Sequence, residues 1–542
     1  MSSIRPIARL ETHEVFNQPP LLEDCNLFTS DQALMDAVRH AGGHAHFDHL
    51  RAVGALAGSA EAMQWGVDAN RNPPVLENFD RHGRRIDELR FHPSYHKLMH
   101  LGLDHGGAGI AWDGTPQGNV AHSAILYLAN QPDSGVGCPM TMTYAAVPAL
   151  MADAAIAAEW VPRITASRYD AACRPASEKA GVTIGMGMTE KQGGSDVRAN
   201  TTQAEAAPDI GAGWFQLTGH KWFCSAPMCD AFLTLAYVGE GLTCFLLPRW
   251  LPDGSRNAGF RVMRLKDKLG DRSNASSEVE YHGALAQQLG EQGRGIATII
   301  RMVQHTRLDC VLGSAQQMRA ALAIALWHTA HRTAFQKRLI DQPAMEALLA
   351  DLAIESEAAT ALGFRLSQAF DDNDPLARLL TPIAKYWVCK RNPGFVYEAM
   401  ECLGGVGYLE DWPMARIFRQ SPLNAIWEGS GNVIALDLLR AAGREQEGVQ
   451  ALRQYLEGVR GRHPAYDAWL DALDWTAARE GTARLFAERL ALAAQAAVLL
   501  HWENPLAESF CALRLQRHGL AYGAYDAGID TAAILQRALP RP

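Results

Sequence analysis

The sequence predicts a mainly α-helical protein with a block of β-strands in its middle and a further helical segment at its end. Segments before about residue 180, such as Tyr144–Trp160, are rich in Ala, Leu and Met, which favour helix. Between about 183 and 284, short β-branched and aromatic runs are separated by Gly, Asp and Pro, which is typical of strands and turns. From about 291 onward, apolar residues recur every three to four positions, which indicates amphipathic helices.

The chain divides into four predicted segments. Residues 1–182 form an N-terminal helical domain, residues 183–290 a β-domain, residues 291–440 a helical bundle, and residues 441–542 a C-terminal helical extension. Because strands and helices are segregated, a fold of alternating strands and helices is disfavoured. The strand runs and long helices behind these boundaries are Trp214–Trp222, Phe232–Val238, Leu242–Leu247, Glu278–Tyr281, Gly295–Arg332, Pro343–Phe370 and Pro375–Leu403.

Composition excludes several classes of protein. The 542 residues are 48% hydrophobic and 20% charged, as in folded soluble proteins. A net charge of -9 argues against a globally basic nucleic-acid coat protein, although a local basic patch stays open. The sequence predicts no signal peptide and no membrane span, so we expect a cytoplasmic protein. The ten cysteines form no C-x-x-C pair, which predicts reduced thiols and no metal site.

The first candidate site is the segment 188–197, Met-Thr-Glu-Lys-Gln-Gly-Gly-Ser-Asp-Val. Gly193 and Gly194 let the backbone approach a ligand closely, and Thr189 and Ser195 offer hydroxyl groups. Free backbone N–H groups near the glycines can bind an anion or a carbonyl oxygen. A simple turn between two strands is the alternative interpretation.

The second and third candidates complement the first. In the segment 220–225, large flat side chains stand beside small polar ones, which suits a planar aromatic cofactor; a core Trp and Phe in a sheet is the alternative. In the segment 424–432, Glu428 is flanked by apolar Ile426 and Trp427 and followed by Gly429. Apolar surroundings raise the pKa of a carboxylate toward the range of a general base, whereas a surface Glu in a turn is the alternative.

Together these segments resemble the acyl-CoA dehydrogenase superfamily of flavoproteins over about residues 1 to 440. Glu190-x-x-x-x-Ser195-Asp196 is similar to the flavin loop of that family, and Lys221-Trp222 to its isoalloxazine-stacking strand. The residues within these motifs, and the additional C-terminal residues, are most similar to those of the branch of the family that belongs to the bacterial adaptive response to DNA alkylation. Further matches occur in the family's order at Lys268-Leu269-Gly270-x-Arg272-Ser273, Arg332-x-x-Phe335, Leu403-Gly404-Gly405-x-Gly407-Tyr408 and Trp427-Glu428-Gly429-Ser430.

The resemblance implies a barrel-like β-domain, FAD as the cofactor, and a homotetramer in which a neighbouring subunit holds part of the dinucleotide. Arg332 would reach the diphosphate, where a planar cation with several donors fits best. Two residues depart from the family pattern: Gln336 follows the Arg-x-x-Phe motif in place of Gly, and Glu401 stands where Gln is frequent. The cofactor-binding residues carried over are Met188, Thr189, Gly193, Gly194, Ser195, Trp222, Phe223, Cys224, Ser225, Arg332, Phe335, Gly404, Gly405, Trp427, Gly429, Ser430 and Asn432.

The resemblance also implies a catalytic role for Glu428. In the dehydrogenases a glutamate removes the α-proton of an acyl thioester, while the flavin accepts a hydride from the β-carbon. The matching base here is Glu428, and the bulky Trp427 beside it could narrow the substrate pocket. Cys224, where the family often has Thr, is expected to contact the flavin by packing and not to act as a nucleophile.

The C-terminal extension is where proteins of the alkylation-response branch are thought to bind double-stranded DNA. Residues 441–542 contain 11 Arg, no Lys and 12 acidic residues, so their net charge is near neutral. The candidate phosphate contacts are Arg514 and Arg517, which lie three residues apart on one face if helical, followed by Arg479 and Arg484. Solvated arginines on a bundle surface are the alternative.

Two classes of function follow. One is an alkylation-response flavoprotein that binds double-stranded DNA without sequence preference and retains weak acyl-CoA dehydrogenase capacity. The other is an FAD-dependent dehydrogenase of short or branched acyl thioesters with no role at DNA. The ordered flavin motifs and Glu428 support catalysis, and the extension supports the DNA role; we favour the first class.

Overall fold

The computed structural model describes residues 6–476, 478–516 and 518–541. Its order of helices, central strands and helices confirms the predicted fold class. Within the described residues, no helix is both long and apolar enough to cross a membrane. The helices are α1 (Gln32–His40), α2 (Phe47–Ala57), α3 (Ala60–Arg71), α4 (Pro93–Leu103), α5 (Gly118–Ala129), α6 (Gly137–Leu150), α7 (Ala154–Thr165), α8 (Gly295–His331), α9 (Pro343–Asp371), α10 (Ala377–Glu401), α11 (Pro413–Gln420), α12 (Gly431–Arg444), α13 (Gln446–Glu457), α14 (Pro464–Asp471), α15 (Ala483–His501), α16 (Ala507–Arg514) and α17 (Thr531–Ala538).

The β-domain is one curved sheet. Its seven strands, β3 to β9, are hydrogen-bonded in the order β3-β5-β4-β6-β7-β9-β8, and additional β3–β6 and β5–β9 pairings give it the barrel-like form. Two short hairpins, β1–β2 and β10–β11, lie outside this sheet. The strands are β1 (Val75–Phe79), β2 (Arg85–Arg90), β3 (Ile184–Thr189), β4 (Gln203–Ala206), β5 (Trp214–Ser225), β6 (Ala231–Val238), β7 (Gly241–Pro248), β8 (Phe260–Leu265), β9 (Ser276–Leu289), β10 (Thr333–Ala334) and β11 (Lys337–Arg338).

The N-terminal domain differs from its prediction in one respect. The β1–β2 hairpin interrupts a segment expected to be helical, and it packs against the β-domain. The Asn78 amide donates to the backbone carbonyl of Val262 on β8, and Arg85 donates to the same carbonyl. The hairpin therefore depends on tertiary contacts that no local sequence signal reveals.

The extension shares a core with the bundle. Leu490 and Val498 of α15 belong to the same buried cluster as Leu362 of α9 and Leu380 of α10. Arg537 of α17 forms ion pairs with Asp36 of α1 and Glu357 of α9. Residues 445–541 are therefore built onto the bundle and its neighbouring helices, with buried apolar contacts as the main attachment.

Candidate active site

Glu428 lies on the short loop between α11 and α12, with a positive φ of 58°. Its Oε2 accepts a hydrogen bond from Thr306 Oγ1 of α8 at 2.7 Å. Burial raises the pKa of the Glu428 carboxyl, and the Thr306 hydrogen bond, together with two nearby cations, limits that rise. This is the environment of a carboxylate that exchanges a proton under mild conditions.

The loop carrying Glu428 is anchored through three consecutive carbonyl groups. Lys385 of α10, which is buried, donates to the carbonyl of Trp427 at 2.9 Å and also to that of Gly429. Arg307 Nε of α8 donates to the carbonyl of Glu428 at 3.1 Å. A left-handed backbone at a residue with a side chain costs about 1–2 kcal/mol, and these contacts hold the loop in that conformation.

The flavin-loop segment is tied to strand β5 by a buried ion pair. Lys221 Nζ lies 2.7 Å from Glu190 Oε1, and both side chains are fully buried. Burial opposes ionisation of Glu190, but the Lys221 ammonium and hydrogen bonds from Thr201 and Thr202 outweigh it and lower the pKa of Glu190 to about 2. The pair fixes Thr189 and the following glycines against β5.

The glycines of this loop are required by geometry. Glu190 and Gly193 exchange backbone hydrogen bonds of 3.2 and 3.1 Å, which close a tight turn. A Cβ at Gly194 would lie only 2.5 Å from Thr189 Oγ1, so any side chain there would displace that hydroxyl. Beyond the turn, Ser195 is exposed to solvent and free to meet a ligand.

The predicted cofactor residues on strand β5 lie in different environments. Phe223, paired in register with Thr189 of β3, keeps half of its surface exposed. The ring of Trp222 is covered by the Lys266 ammonium, 3.2 Å from its centroid. Phe223 is therefore the more accessible ring for stacking. Cys224 corrects its prediction: its side chain is fully buried and, with burial raising its pKa, the thiol has no access to a surface cofactor.

The thiol of Cys138 on α6 lies within electrostatic range of Lys268, Ser225 and Glu428. Burial raises the pKa of Cys138 to about 12; the hydrogen bond from Ser225 opposes this rise, and the charge of Glu428 adds to it. Trp427 packs against a buried cluster that contains residues of both the N-terminal helices and the β-domain. The β3–β5 pairing joins the first and second predicted segments, and Trp427 of the third packs against the same cluster as Met188 of the first.

The ends of the predicted cofactor site lie open. Gly404, with φ of 63°, and Gly405 are both exposed, and a Cβ on either would meet no atom within 4 Å. Ser430 and Asn432 are exposed at the start of α12. Gly429, with φ of 106°, could not carry a Cβ without contacting Ile434 at 2.9 Å. The open backbone at Gly404 and Gly405 can accommodate a cofactor.

Arg332 and Phe335 lie at the far end of α8. Arg332 is half-buried, and its Nη1 donates to the backbone carbonyl of Asn17 at 2.5 Å. Phe335 is 93% exposed at the tip of the β10–β11 hairpin. Within the described residues of one chain, no hydrogen bond joins these two residues to Thr189, Phe223 or Glu428.

The arginines predicted to contact DNA differ in their exposure to solvent. Arg514 is not a surface cation: its guanidinium is buried against Asp351 and Glu355, 2.5 and 2.8 Å away, so the prediction that it contacts phosphate is corrected. Arg479 is exposed, and Arg484 is exposed with its Nε 3.3 Å from the Tyr386 hydroxyl. Arg517 lies outside the described residues.

Several functional residues were missed by sequence reasoning. Thr306, Arg307 and Lys385 hold Glu428 and its loop, yet they lie on helices 43 to 122 positions away and match no local motif. The ion pair of Glu190 and Lys221 could have been found, since both residues stand inside predicted motifs. Among the described residues, no three His, Cys, Asp or Glu side chains are grouped as a metal site.

Comparison with known proteins agrees with this geometry. Residues 17–171 match the model of the adaptive response protein AidB N-terminal domain. Residues 185–284 match the acyl-CoA dehydrogenase middle domain, and residues 293–443 the acyl-CoA dehydrogenase C-terminal domain. The three matches follow one another in the order of the domains described above.

Individual relatives extend the likeness to nearly the whole chain. The AidB protein of Escherichia coli (strain K12) is 42% identical over 94% of this chain and 95% of its own length. The structure of Caenorhabditis elegans ACDH-11 in complex with C11-CoA is similar with a TM-score of 0.81 and 25% identity, covering 99% of this chain and 95% of that one. The acyl-CoA dehydrogenase of Bacillus anthracis complexed with FAD shares the fold, with a TM-score of 0.64, 16% identity and coverage of 78% and 80%.

The chain therefore belongs to the acyl-CoA dehydrogenase family, in the group that has the AidB N-terminal domain. Members of this family are FAD-dependent oxidoreductases, and FAD is the cofactor of this chain. The residues present fit that group: Phe223 offers a half-exposed ring, Ser195 a free hydroxyl, and Gly404 and Gly405 leave space where a side chain would otherwise project.

Proposed function

We propose that this protein is an AidB-like flavoprotein that oxidises acyl thioesters, with Glu428 as the base for the α-proton. One observation carries the proposal. The Glu428 side chain is half-buried, desolvation raises the pKa of its carboxyl, and it is oriented by Thr306 on a loop whose three carbonyls accept hydrogen bonds from Lys385 and Arg307. A surface glutamate in a turn would have none of these features.

The side chains divide the work of proton removal. Thr306 donates to Glu428 Oε2, which leaves Oε1 to receive a proton from substrate. Partial burial removes some of the hydration of the base, so the carboxylate is less stabilised in its ionised form and binds a proton more readily. FAD, when bound, supplies the two-electron acceptor that this oxidation requires. Phe223 and Thr189 lie on paired strands where they can orient the ring system.

The substrate proposed is an acyl-CoA. The support comes from the family and from the ACDH-11 structure, which holds C11-CoA. Trp427, partly buried and packed against the cluster shared by the β-domain and the N-terminal helices, is adjacent to the base in the chain and restricts space there. The alternative is a dehydrogenase that prefers short or branched acyl chains as substrates. A panel of acyl-CoAs of increasing length, each tested for anaerobic bleaching of the flavin, would distinguish these preferences.

We also propose a homotetramer in the cytoplasm. The support is the exposure of two aromatic side chains, Phe335 at 93% and Tyr408 at 79%, and the open space at Gly404 and Gly405, where a Cβ would meet no atom within 4 Å. A neighbouring subunit could cover these residues and complete the cofactor site. Light scattering of the FAD-loaded protein tests this, and a monomer with full FAD occupancy would refute it.

Double-stranded DNA is the second proposed ligand, with a role in the response to DNA alkylation. The specific support is the match of residues 17–171 to the AidB N-terminal domain and the likeness to E. coli AidB along almost its full length. Arg479 and Arg484 remain as exposed candidates for phosphate contacts, whereas Arg514 is engaged internally. With two exposed arginines left of the predicted contacts that the structure describes, we expect weak, non-specific binding with a shallow salt dependence.

One experiment tests both proposals. The purified protein is bleached anaerobically with the acyl-CoA panel, in the presence and absence of duplex DNA, and DNA binding is followed by gel shift at several salt concentrations. Bleaching supports the dehydrogenase, and a salt-dependent shift that Arg479→Gln with Arg484→Gln reduces supports the DNA role. A protein that takes up no FAD would refute the flavoprotein assignment, and bleaching without any DNA binding at low salt would leave the dehydrogenase alone.

A further inference from the structure

The N-terminal segment, residues 6–20, contacts the far end of α8 and the strand that follows it through Pro20 and Asn17. Asn17 Oδ1 accepts from the backbone N–H of Thr333 at 2.9 Å and from its hydroxyl at 2.8 Å. Asn17 Nδ2 donates to the Thr333 carbonyl at 2.9 Å. The backbone carbonyl of Asn17 accepts from Arg332 Nη1 at 2.5 Å. Asn17 therefore makes four hydrogen bonds to two consecutive residues more than 300 positions away.

The hairpin that follows Arg332 needs such support. Strands β10 and β11 pair Thr333 with Arg338 and Ala334 with Lys337, so Phe335 and Gln336 form the two-residue turn. Both residues have a positive φ, 50° and 66°, a backbone conformation that glycine adopts easily but residues with a side chain do not. The left-handed conformation of each residue costs about 1–2 kcal/mol of stability. A hairpin of only two residue pairs gains little stability from its own strand pairing. The hydrogen bonds between Asn17 and Thr333 hold β10, the first strand of this hairpin.

The contact also leaves the charge of Arg332 available. Among the described residues, no carboxylate forms an ion pair with Arg332. The neutral carbonyl of Asn17 fixes one edge of the guanidinium without neutralising it, and Nε and Nη2 keep their donors. An oriented but uncompensated guanidinium is suited to bind a phosphate or diphosphate.

We propose that Asn17 is a positioning residue for Arg332, and that the N-terminal segment thereby forms part of the site that binds the diphosphate of the cofactor. This rests on the proposed function, in which Arg332 reaches the FAD diphosphate of its own or a neighbouring subunit. Asn17 itself contacts Arg332 and Thr333, and it acts on the cofactor only through the guanidinium that it orients.

The test measures flavin binding to the apo-protein by quenching of flavin fluorescence. Asn17→Ala keeps the backbone carbonyl that accepts from Arg332 but removes the three side-chain hydrogen bonds to Thr333 that hold this carbonyl in place, so it is expected to weaken FAD binding by about tenfold. Asn17→Asp keeps the two hydrogen bonds accepted from Thr333 but replaces the amide donor to the Thr333 carbonyl with a carboxylate oxygen that repels it, so it should weaken FAD binding as well. Riboflavin, which has no phosphate, should bind all variants within about twofold of the wild type.

A matched control is available on the same segment. Trp327 Nε1 donates to the carbonyl of Pro20 at 2.9 Å, so Trp327→Phe loosens the N-terminal segment without touching Arg332. This variant should bind FAD like the wild type. Equal loss of FAD in Trp327→Phe and Asn17→Ala, or equal loss of riboflavin and FAD, would overturn the positioning role, as would unchanged FAD affinity in both Asn17 variants. If Asn17→Ala does not fold, Asn17→Gly, which tolerates the φ of 55°, replaces it. A wild-type protein that binds no FAD would instead refute the proposed function.

Discussion

The Glu428 loop and the Phe335–Gln336 turn are both strained, but they are held in opposite ways. Each places side-chain-bearing residues at positive φ. The Glu428 loop is half-buried and is anchored by the buried cations Lys385 and Arg307. The turn is exposed and depends on the neutral side chain of Asn17 at its base. The proton-transfer end of the site is thus rigid within one chain, whereas the end that meets the diphosphate is open and adjustable.

The largest expected effect comes from removing the base at the rigid end. Glu428→Gln keeps the size and the Thr306 contact but cannot take a proton, so acyl-CoA-dependent flavin reduction should fall by about 10²–10⁴-fold. Stopped-flow absorbance under anaerobic conditions measures this rate, and the flavin absorbance shows that FAD is retained. Phe335→Ala at the open end serves as the contrast and should lower FAD affinity with a smaller change in the rate of the loaded protein.

Removing an internal anchor should destabilise the rigid end. Lys385→Met leaves the carbonyls of Trp427 and Gly429 buried without a donor, at a cost of about 3 kcal/mol in the free energy of unfolding. Thermal or urea unfolding measures the loss. Lys337→Met on the exposed hairpin is the control, and equal stabilities for the two variants would show that the loop does not depend on its buried lysine.

The two aromatic rings of β5 should contribute unequally to FAD binding. Phe223→Ala removes the half-exposed ring and should weaken FAD by about tenfold, as expected for the loss of one stacking surface. Trp222→Ala removes a ring already covered by Lys266, so its effect should be smaller. Fluorescence titration of both variants decides the order, and a larger loss for Trp222→Ala would restore the prediction made from sequence.

Relieving strain at the exposed turn should have a modest stabilising effect. Gln336→Gly suits the φ of 66° and should raise the free energy of unfolding by about 1 kcal/mol. The same change at Lys337, within β11, should destabilise, because glycine there only adds freedom to the unfolded chain. Thermal unfolding of the pair checks the sign, and matching signs would contradict the assignment of strain to Gln336.

The smallest expected effect is a change in the pH profile. The Thr306 hydrogen bond lowers the pKa of Glu428 against the larger rise due to burial, because it stabilises the ionised carboxylate. Thr306→Val removes it, so the folded-state pKa moves further up. Since the base acts when ionised, the midpoint of flavin reduction should move to higher pH. A midpoint that moves down would show that Thr306 stabilises the protonated form.

The difference between these two ends also explains what the sequence could predict. The helix–strand–helix order was predictable, because it depends on local periodicity, and motifs of several residues were enough to mark Glu428 and the glycine loop as candidates. The anchors Thr306, Lys385 and Asn17 were not, because their partners are brought together only by packing of distant elements. Arg514 shows the same limit: helical spacing placed it on a face, but only the fold reveals Asp351 and Glu355 beneath that face.

The most direct test of the central claim is exchange of the substrate's α-protons with solvent. The FAD-loaded protein is incubated with an acyl-CoA in D₂O, and the α-proton signal is followed by NMR. The account predicts that the signal decays with the wild-type protein and persists with Glu428→Gln, which retains its FAD. Equal decay with both proteins would show that another group removes the proton and would contradict the role assigned to Glu428.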